Sequence, residues 1–302
     1  MTTPVTVLVP RHHGAEAAEV VFDVFRQIDA RMSEWKPTSP LTKVNNAAGR
    51  DAIIVPPDLR DVIRRGVEFG RASEGAFDIT WAALWGLWDF KAKHPRVPDD
   101  AEIDRRAALV DYRRIVIDDD AGTVFLPESG MMIGLGGIAK GYALERAAAE
   151  LHKRGMDSFL ISAGGQVMVS GTRGNRPWRV GIRDPRGGPT DFFAFLDASD
   201  ISLATSGDYE RFFVLDGRRY HHILDPRTGR PTRGLRSASV IGTDPTLADG
   251  LSTALMVLGT TRGLALAEEL DDVEAVLVDD NGSVHVTSGL AGKLQMEHPP
   301  RP

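Results

Sequence analysis

An α+β fold built on antiparallel sheets is the architecture this sequence predicts, and three features carry that reading. Turn-forming dipeptides, Gly164–Gly165, Asp216–Gly217 and Asn281–Gly282, sit between short apolar runs, as two-residue hairpins require. Apolar residues recur at helical spacing in several longer segments, so helices are present as well. The strands are joined mostly by hairpins rather than by helical crossovers, which argues against a doubly wound parallel sheet.

In chain order, a strand over 5–9 comes first. A helix is predicted over 14–32, where Ala17, Val20, Val21, Val24, Phe25, Ile28 and Met32 fall at helical spacing. Residues 34–46 read as a polar loop containing Trp35, Ser39 and Asn45. A second helix runs over 57–72, opened by Pro57 at a position that needs no N–H and closed before Gly75. The stretch 76–89 is unusually aromatic, with Phe77, Trp81, Trp85 and Trp88. Strands at 115–117 and 123–126 flank a turn at 120–122. A helix over 137–154 ends at Gly155, where a left-handed cap is expected. The three hairpins follow at 159–162 with 167–170, at 211–215 with 218–224, and at 273–278 with 283–286. Between the last two, a helix over 246–258 stops at Gly259. No linker interrupts 1–302, which reads as a single domain.

Composition narrows the function classes. The chain sets 36 Lys+Arg against 42 Asp+Glu, a net charge of −6 with no clustered basic face, so nucleic acid is not an expected partner. Hydrophobic residues make up 42%, enough for a sizeable core. No window reaches the ~18 uninterrupted apolar residues of a membrane span. There is no cysteine, which removes disulfides, thiolate metal sites and cysteine nucleophiles together. The first ten residues lack the features of a secretory leader. As written the chain reads as cytoplasmic, and as periplasmic if a leader has been removed.

Four stretches bear chemistry. In Gly134-Leu-Gly-Gly-Ile-Ala-Lys140-Gly141, glycines at a helix start let backbone N–H groups approach an anion, and Lys140 adds a point charge. A P-loop is excluded because Gly141, not Ser or Thr, follows Lys140. A Rossmann turn is excluded because the next strand turns back through Gly164–Gly165. A tightly packed helix start is the alternative reading. In the second stretch, Ser206 and Asp208 precede His221, His222 and Asp225. Adjacent histidines on a strand point to opposite faces, and His222 shares a face with Leu224. In the third, Asp249 and Thr253 stand at i and i+4 on an otherwise apolar helix. That places a carboxylate and a hydroxyl side by side as hard oxygen ligands suited to Mg²⁺; the alternative is a capped helix meeting solvent. In the fourth, Asp78 lies within the aromatic run and, if buried, needs a partner.

In combination and order, these stretches resemble the FAD:protein FMN transferase family, often called ApbE, over nearly the whole chain. The matching segments are Met32-Ser-Glu-Trp-Lys-Pro-Thr-Ser39 with Asn45, Gly75-Ala-Phe-Asp-Ile-Thr80 and Gly136-Gly-Ile-Ala-Lys-Gly-Tyr142. Gly164-Gly165, Ala204-Thr-Ser-Gly-Asp-Tyr209, His222-Ile-Leu-Asp-Pro-Arg-Thr-Gly229 and Ala248-Asp249 with Thr253 complete the set. The resemblance implies a T-fold of the α+β class and Mg²⁺-dependent transfer of FMN from FAD to a threonine hydroxyl of a partner flavoprotein with an FMN-binding domain, releasing AMP.

Carried over by position, Ala76, Phe77 and Asp78 resemble the FAD-binding triplet, and Lys140 resembles the lysine that contacts the dinucleotide. Trp35 stands where the family places an aromatic against the flavin, and Met1 at a flavin-contacting methionine. Gly136, Gly137, Ser206 and Asp208 are further FAD-binding candidates. Asp249, Thr253 and the carbonyl of Gly137 resemble the metal ligands. His222 falls on the family's active-site histidine and, with Asp249 as the alternative, is the candidate base. Gly134 replaces the family's usual Asp, Gln166 stands where Asp is common, and Glu145 replaces another Asp. Two other outcomes fit the same residues: an FAD pyrophosphatase giving FMN and AMP, or a flavin-binding protein without turnover.

Overall fold

Each of the three hairpin dipeptides joins an antiparallel pair. Phe159–Ala163 pairs with Gln166–Ser170, and Phe212–Leu215 with Arg218–His221. Val273–Asp279 pairs with Val284–Val286. Gly164 and Gly165 have φ of 50° and 85°, the double left-handed geometry whose twist matches the flanking strands. The computed structural model describes residues 4–302. Its chain divides into two compact units, one formed by Met1–Gln27, Lys140–Tyr209 and Arg233–Pro302, the other by Ile28–Ala139 and Glu210–Thr232.

In the first unit, a seven-stranded sheet runs in the order Val5–Leu8, Phe159–Ala163, Gln166–Ser170, Ile201–Gly207, Leu235–Gly242, Val273–Asp279 and Val284–Val286. Every neighbouring pair is antiparallel. A three-stranded sheet of Trp178–Arg183, Phe192–Ala198 and Gln295–Met296 packs on it: Trp178, Ile182 and Phe193 meet Val169, Leu203, Ile241, Val276 and Val278 in one core. The Pro245–Glu268 helix packs on the same large sheet, and Leu277 approaches it beside Gly263. With both faces covered, Leu235–Gly242 is buried at all eight positions and shows no alternation of apolar and polar residues. One of its serines finds a partner inside, where Ser239 Oγ meets Thr205 Oγ1 at 2.8 Å.

The Pro245–Glu268 helix starts as a capped helix should. Asp244 accepts from the amides of Thr246 and Leu247, and Pro245 takes the first turn. It breaks at Gly259, where φ is 74° and ψ −175°, and helix then resumes to Glu268, whereas the sequence suggested a stop. By length and composition it is apolar enough to cross a membrane, but much of its apolar surface lies against the sheet.

In the second unit, the Pro57–Ala72 helix forms as expected and turns Leu59, Val62 and Ile63 inward. Gly66 and Gly70 on the same face admit Ile79 and the Tyr112 ring; a Cβ there would approach them to 2.6 and 2.7 Å. Part of the expected polar loop is instead the helix Pro40–Asn46, capped by Ser39, which accepts from the Thr42 amide at 3.0 Å. A further helix, Asp100–Ala107, was not expected; it buries only Ile103, too little to give a periodic signal. The aromatic stretch divides, with Trp88 and Phe90 joining Leu84, Ile103, Phe213 and Tyr220 in a core and Trp85 remaining exposed.

Candidate active site

Two groups of the singled-out residues come together, one within each unit. In the first unit, the Ala139–His152 helix and the Pro245–Glu268 helix begin side by side. They approach so closely that a Cβ on Gly141 would lie 2.1 Å from the Pro245 carbonyl oxygen, so only glycine fits. This contact brings Lys140 to Asp249: Nζ lies 2.8 Å from Oδ1, while the Gly141 amide donates to Oδ2 at 3.0 Å. Asp249 is buried, and a buried carboxylate met by an ammonium and an amide has the charge-assisted partners it needs. One turn further, Thr253 Oγ1 lies 3.2 Å from Ser206 Oγ, which also meets Ser252 Oγ at 2.9 Å. Ser252 in turn donates to the Asp249 carbonyl at 2.9 Å. Ser206, Ser252, Thr253, Asp249 and Lys140 thus form one connected cluster.

Around it, Thr246 donates to the Glu145 carboxylate, and Gln166 Nε2 donates to the Pro245 carbonyl at 2.7 Å and to Ser202 Oγ at 3.1 Å. Asp208, also in this unit, is buried in a two-pronged pair with Arg186, at 2.7 and 2.8 Å, and this partner raises the Arg186 pKa. Among the described residues, no three His, Cys, Asp or Glu side chains converge in a way that would hold a metal. The donor set of Asp249 and Thr253 nevertheless has the chemistry Mg²⁺ uses. That ion takes hard oxygens and is commonly bound by one or two carboxylates, with substrate phosphates and water completing its shell.

In the second unit, Ala76 and Phe77 are buried, and Phe77 leans edge-on against Phe69 with ring centroids 6.2 Å apart. Asp78 is buried too, and its partners are its own chain. Oδ1 accepts from the Thr80 amide at 2.7 Å and the Thr80 hydroxyl at 2.6 Å, while Oδ2 accepts from the Tyr112 amide at 2.9 Å. Burial pushes its carboxyl up, and these hydrogen bonds offset only part of the rise. The Gly134 amide donates to the Ile79 carbonyl at 2.8 Å, and Trp81 Nε1 donates to the Gly134 carbonyl at 3.0 Å. A Cβ at 134 would come within 3.0 Å of the Trp81 ring and of Ala82, so the position where the resemblance leads one to expect Asp is closed by an indole.

Gly136 is open by comparison. A Cβ there would have Glu34 Oε1 as its near neighbour, at 3.8 Å, and burial raises the Glu34 pKa. Gly137 follows and leads into the helix that carries Lys140. Trp35 is exposed and stands edge-on to Trp85. His221 is buried with Nε2 against the Thr232 carbonyl at 2.9 Å, whereas His222 is half-buried just past the strand end, its amide donating to the Arg211 carbonyl at 3.0 Å. Met1 lies outside the described residues. The sequence reading passed over Ser252 and Glu34. Ser252 was findable from its i+3 spacing to Asp249; Glu34, in an apparently polar loop, left no such signal.

A family model described as the ApbE family matches residues 1–277. A Klebsiella pneumoniae protein named FAD:protein FMN transferase is 32% identical over 95% of this chain and 90% of its own length. A Treponema pallidum protein of the same name is 32% identical over 93% of this chain and 82% of its own. The crystal structure of the ApbE protein of Thermotoga maritima superposes with a TM-score of 0.86 at 32% identity, covering 96% of this chain and 95% of that one. The Vibrio cholerae flavin transferase ApbE gives a TM-score of 0.85 at 27% identity, over 97% and 96% of the two chains. The match extends through every stretch singled out above: the chain belongs to the ApbE family, a family of enzymes.

Proposed function

We propose that this chain is a flavin transferase that moves FMN from FAD to a threonine hydroxyl of a partner flavoprotein, with the whole of 1–302 acting as one functional domain. The observation that carries the reading is the oxygen-rich cluster of Asp249, Ser252, Thr253 and Ser206 beside Lys140, at the start of two abutting helices. In the reaction the threonine oxygen bonds to the FMN phosphorus, and the bond from that phosphorus to the bridging oxygen of the pyrophosphate breaks. AMP leaves with the bridging oxygen, and the hydroxyl proton passes to a base.

Lys140 supplies positive charge for a pyrophosphate, and the amides around Gly136 and Gly137 would hold its oxygens in line in this reading. His222 is the base in this reading, since a carboxylate holding a cation is a weak base. Asp249 and Thr253 would hold Mg²⁺, which when bound neutralises charge developing on the leaving phosphate. Ser206 and Ser252 fix the Thr253 hydroxyl in place.

The test is to incubate the protein with FAD, Mg²⁺ and an FMN-binding-domain acceptor and to weigh the acceptor. A mass gain of FMN less one water, lost when the acceptor threonine is replaced by alanine and abolished in Asp249→Ala, is the expected result. Labelling that survives Asp249→Ala unchanged would remove Asp249 from its role. AMP release as fast without acceptor as with it would make the chain a hydrolase instead.

A further inference from the structure

The five tryptophans of this chain are of two kinds. Trp88 and Trp178 are buried and Trp81 is half-buried. Each donates its indole N–H to a backbone carbonyl: Trp88 to Gly229 at 2.9 Å, Trp178 to Ser170 at 3.0 Å, and Trp81 to Gly134 at 3.0 Å. That is how an indole is ordinarily satisfied in a folded core. Trp35 and Trp85 differ on each count. They are 57% and 38% exposed, and among the described residues neither indole N–H has a protein acceptor. They touch each other, with ring centroids 4.0 Å apart and planes at 88°.

Two exposed tryptophans held against one another form an apolar surface that a folded chain leaves uncovered only at a cost, and such surfaces mark binding sites. Their perpendicular planes make a corner. A flat ring stacked on one indole meets the other edge-on, and both are favourable aromatic arrangements. The two indole N–H groups call for an occupant with acceptor atoms on its rim. Glu34, next in sequence to Trp35, lies beside Gly136. The occupant that matches is therefore a flat heteroaromatic with carbonyl and ring-nitrogen acceptors on its rim.

We propose that Trp85, together with Trp35, forms the wall that holds the isoalloxazine ring of FAD, a role that no matched motif carries to position 85. This rests on the transferase reading above and adds to it a residue that sets the pose of the ring.

Calorimetric titration of the full-length protein with FAD and with ADP-ribose tests it, because ADP-ribose keeps the adenosine and pyrophosphate but lacks the flavin. Trp85→Ala is expected to weaken FAD binding about tenfold, the scale of losing one stacked aromatic, and to leave ADP-ribose unaffected. Trp85→Phe should keep most of the affinity. At saturating FAD, the flavin absorption band, which stacking on an indole moves to longer wavelength, should return in Trp85→Ala toward that of free FAD. Unchanged FAD affinity and an unchanged band in Trp85→Ala overturn the assignment, including in the case where the pair serves the acceptor protein instead. Equal losses for FAD and ADP-ribose overturn it as well, since Trp85 would then only support its loop. If the wild-type protein binds no FAD, the transferase reading falls with it; if it binds FAD and the variant matches it, the Trp85 assignment alone falls.

Discussion

At Asp78 a buried carboxylate is held by three donors from its own chain, yet burial still keeps its pKa above the usual aspartate range. The sign of the consequence follows from linkage. A carboxyl whose folded pKa exceeds its unfolded value, about 4, binds its proton more tightly in the native state. Its stabilising contribution is therefore fully present below that value and is lost as pH rises through the folded pKa. Urea unfolding of the wild type and of Asp78→Asn, which has nothing to titrate, should give midpoints whose difference shifts in favour of the wild type as pH falls from 6 to about 4. A difference independent of pH would mean the carboxyl is not raised. The partners of such residues explain what was hidden in the sequence. Asp78 was recognisable as buried and needing a partner, but nothing local says that the partner is the Tyr112 amide. Asp249 and Thr253 were legible because i and i+4 on a helix share a face. The lysine at Asp249 and the arginine at Asp208 come from other segments, and spacing along the chain does not reveal them.

Between elements, the contact of the Ala139–His152 and Pro245–Glu268 helices carries the cluster in the first unit, and Gly141 is its contact point. Two effects compete at that position. Alanine in a helix interior is favoured over glycine by about 1 kcal/mol, but its Cβ would sit 2.1 Å from a backbone oxygen that a capped helix start holds in place. Overpacking of that kind costs about 1–3 kcal/mol or more and should win, so Gly141→Ala is expected to be destabilised by about 2 kcal/mol in chemical denaturation. A stability gain would show that the two helices can separate freely. The same element scale explains which segments the sequence announced. The Pro57–Ala72 helix and the three hairpins carry a one-sided apolar face or a turn dipeptide, and they appeared where expected. Leu235–Gly242 carries neither, because both its faces are covered and all eight positions are buried, serines included. Pro40–Asn46 is held by a cap and by Asn45, whose side chain pairs with the backbone of Ile133 through bonds of 2.9 and 2.8 Å, a long-range tie with no periodic trace.

Across the whole molecule, the matched family region ends at residue 277, but the structure does not. Beyond it, Val284–Val286 closes the large sheet, Leu290 is buried in its core, and Gln295–Met296 extends the small sheet. The buried Arg236 donates to the carbonyls of Arg301, at 2.7 Å, and Asp280, at 2.9 Å. Truncation after Asp280 should therefore lower stability by on the order of 4 kcal/mol, combining one buried leucine with the loss of a carbonyl from a charged donor. An unchanged melting temperature would show that this tail is dispensable. The discontinuity of the first unit also has a consequence for biosynthesis. Its opening strand pairs Val5 with Ala163, and the strand that follows Ala204 in the sheet, through Val240, lies later still. A ribosome releasing the chain from its N-terminus delivers residues 28–139, the larger part of the second unit, before Ala163 exists. The first strand must wait with its pairing edge unfilled, and such long loops close slowly. Folding during synthesis should thus begin in the second unit, with the first completed only after the Val273–Asp279 strand has emerged.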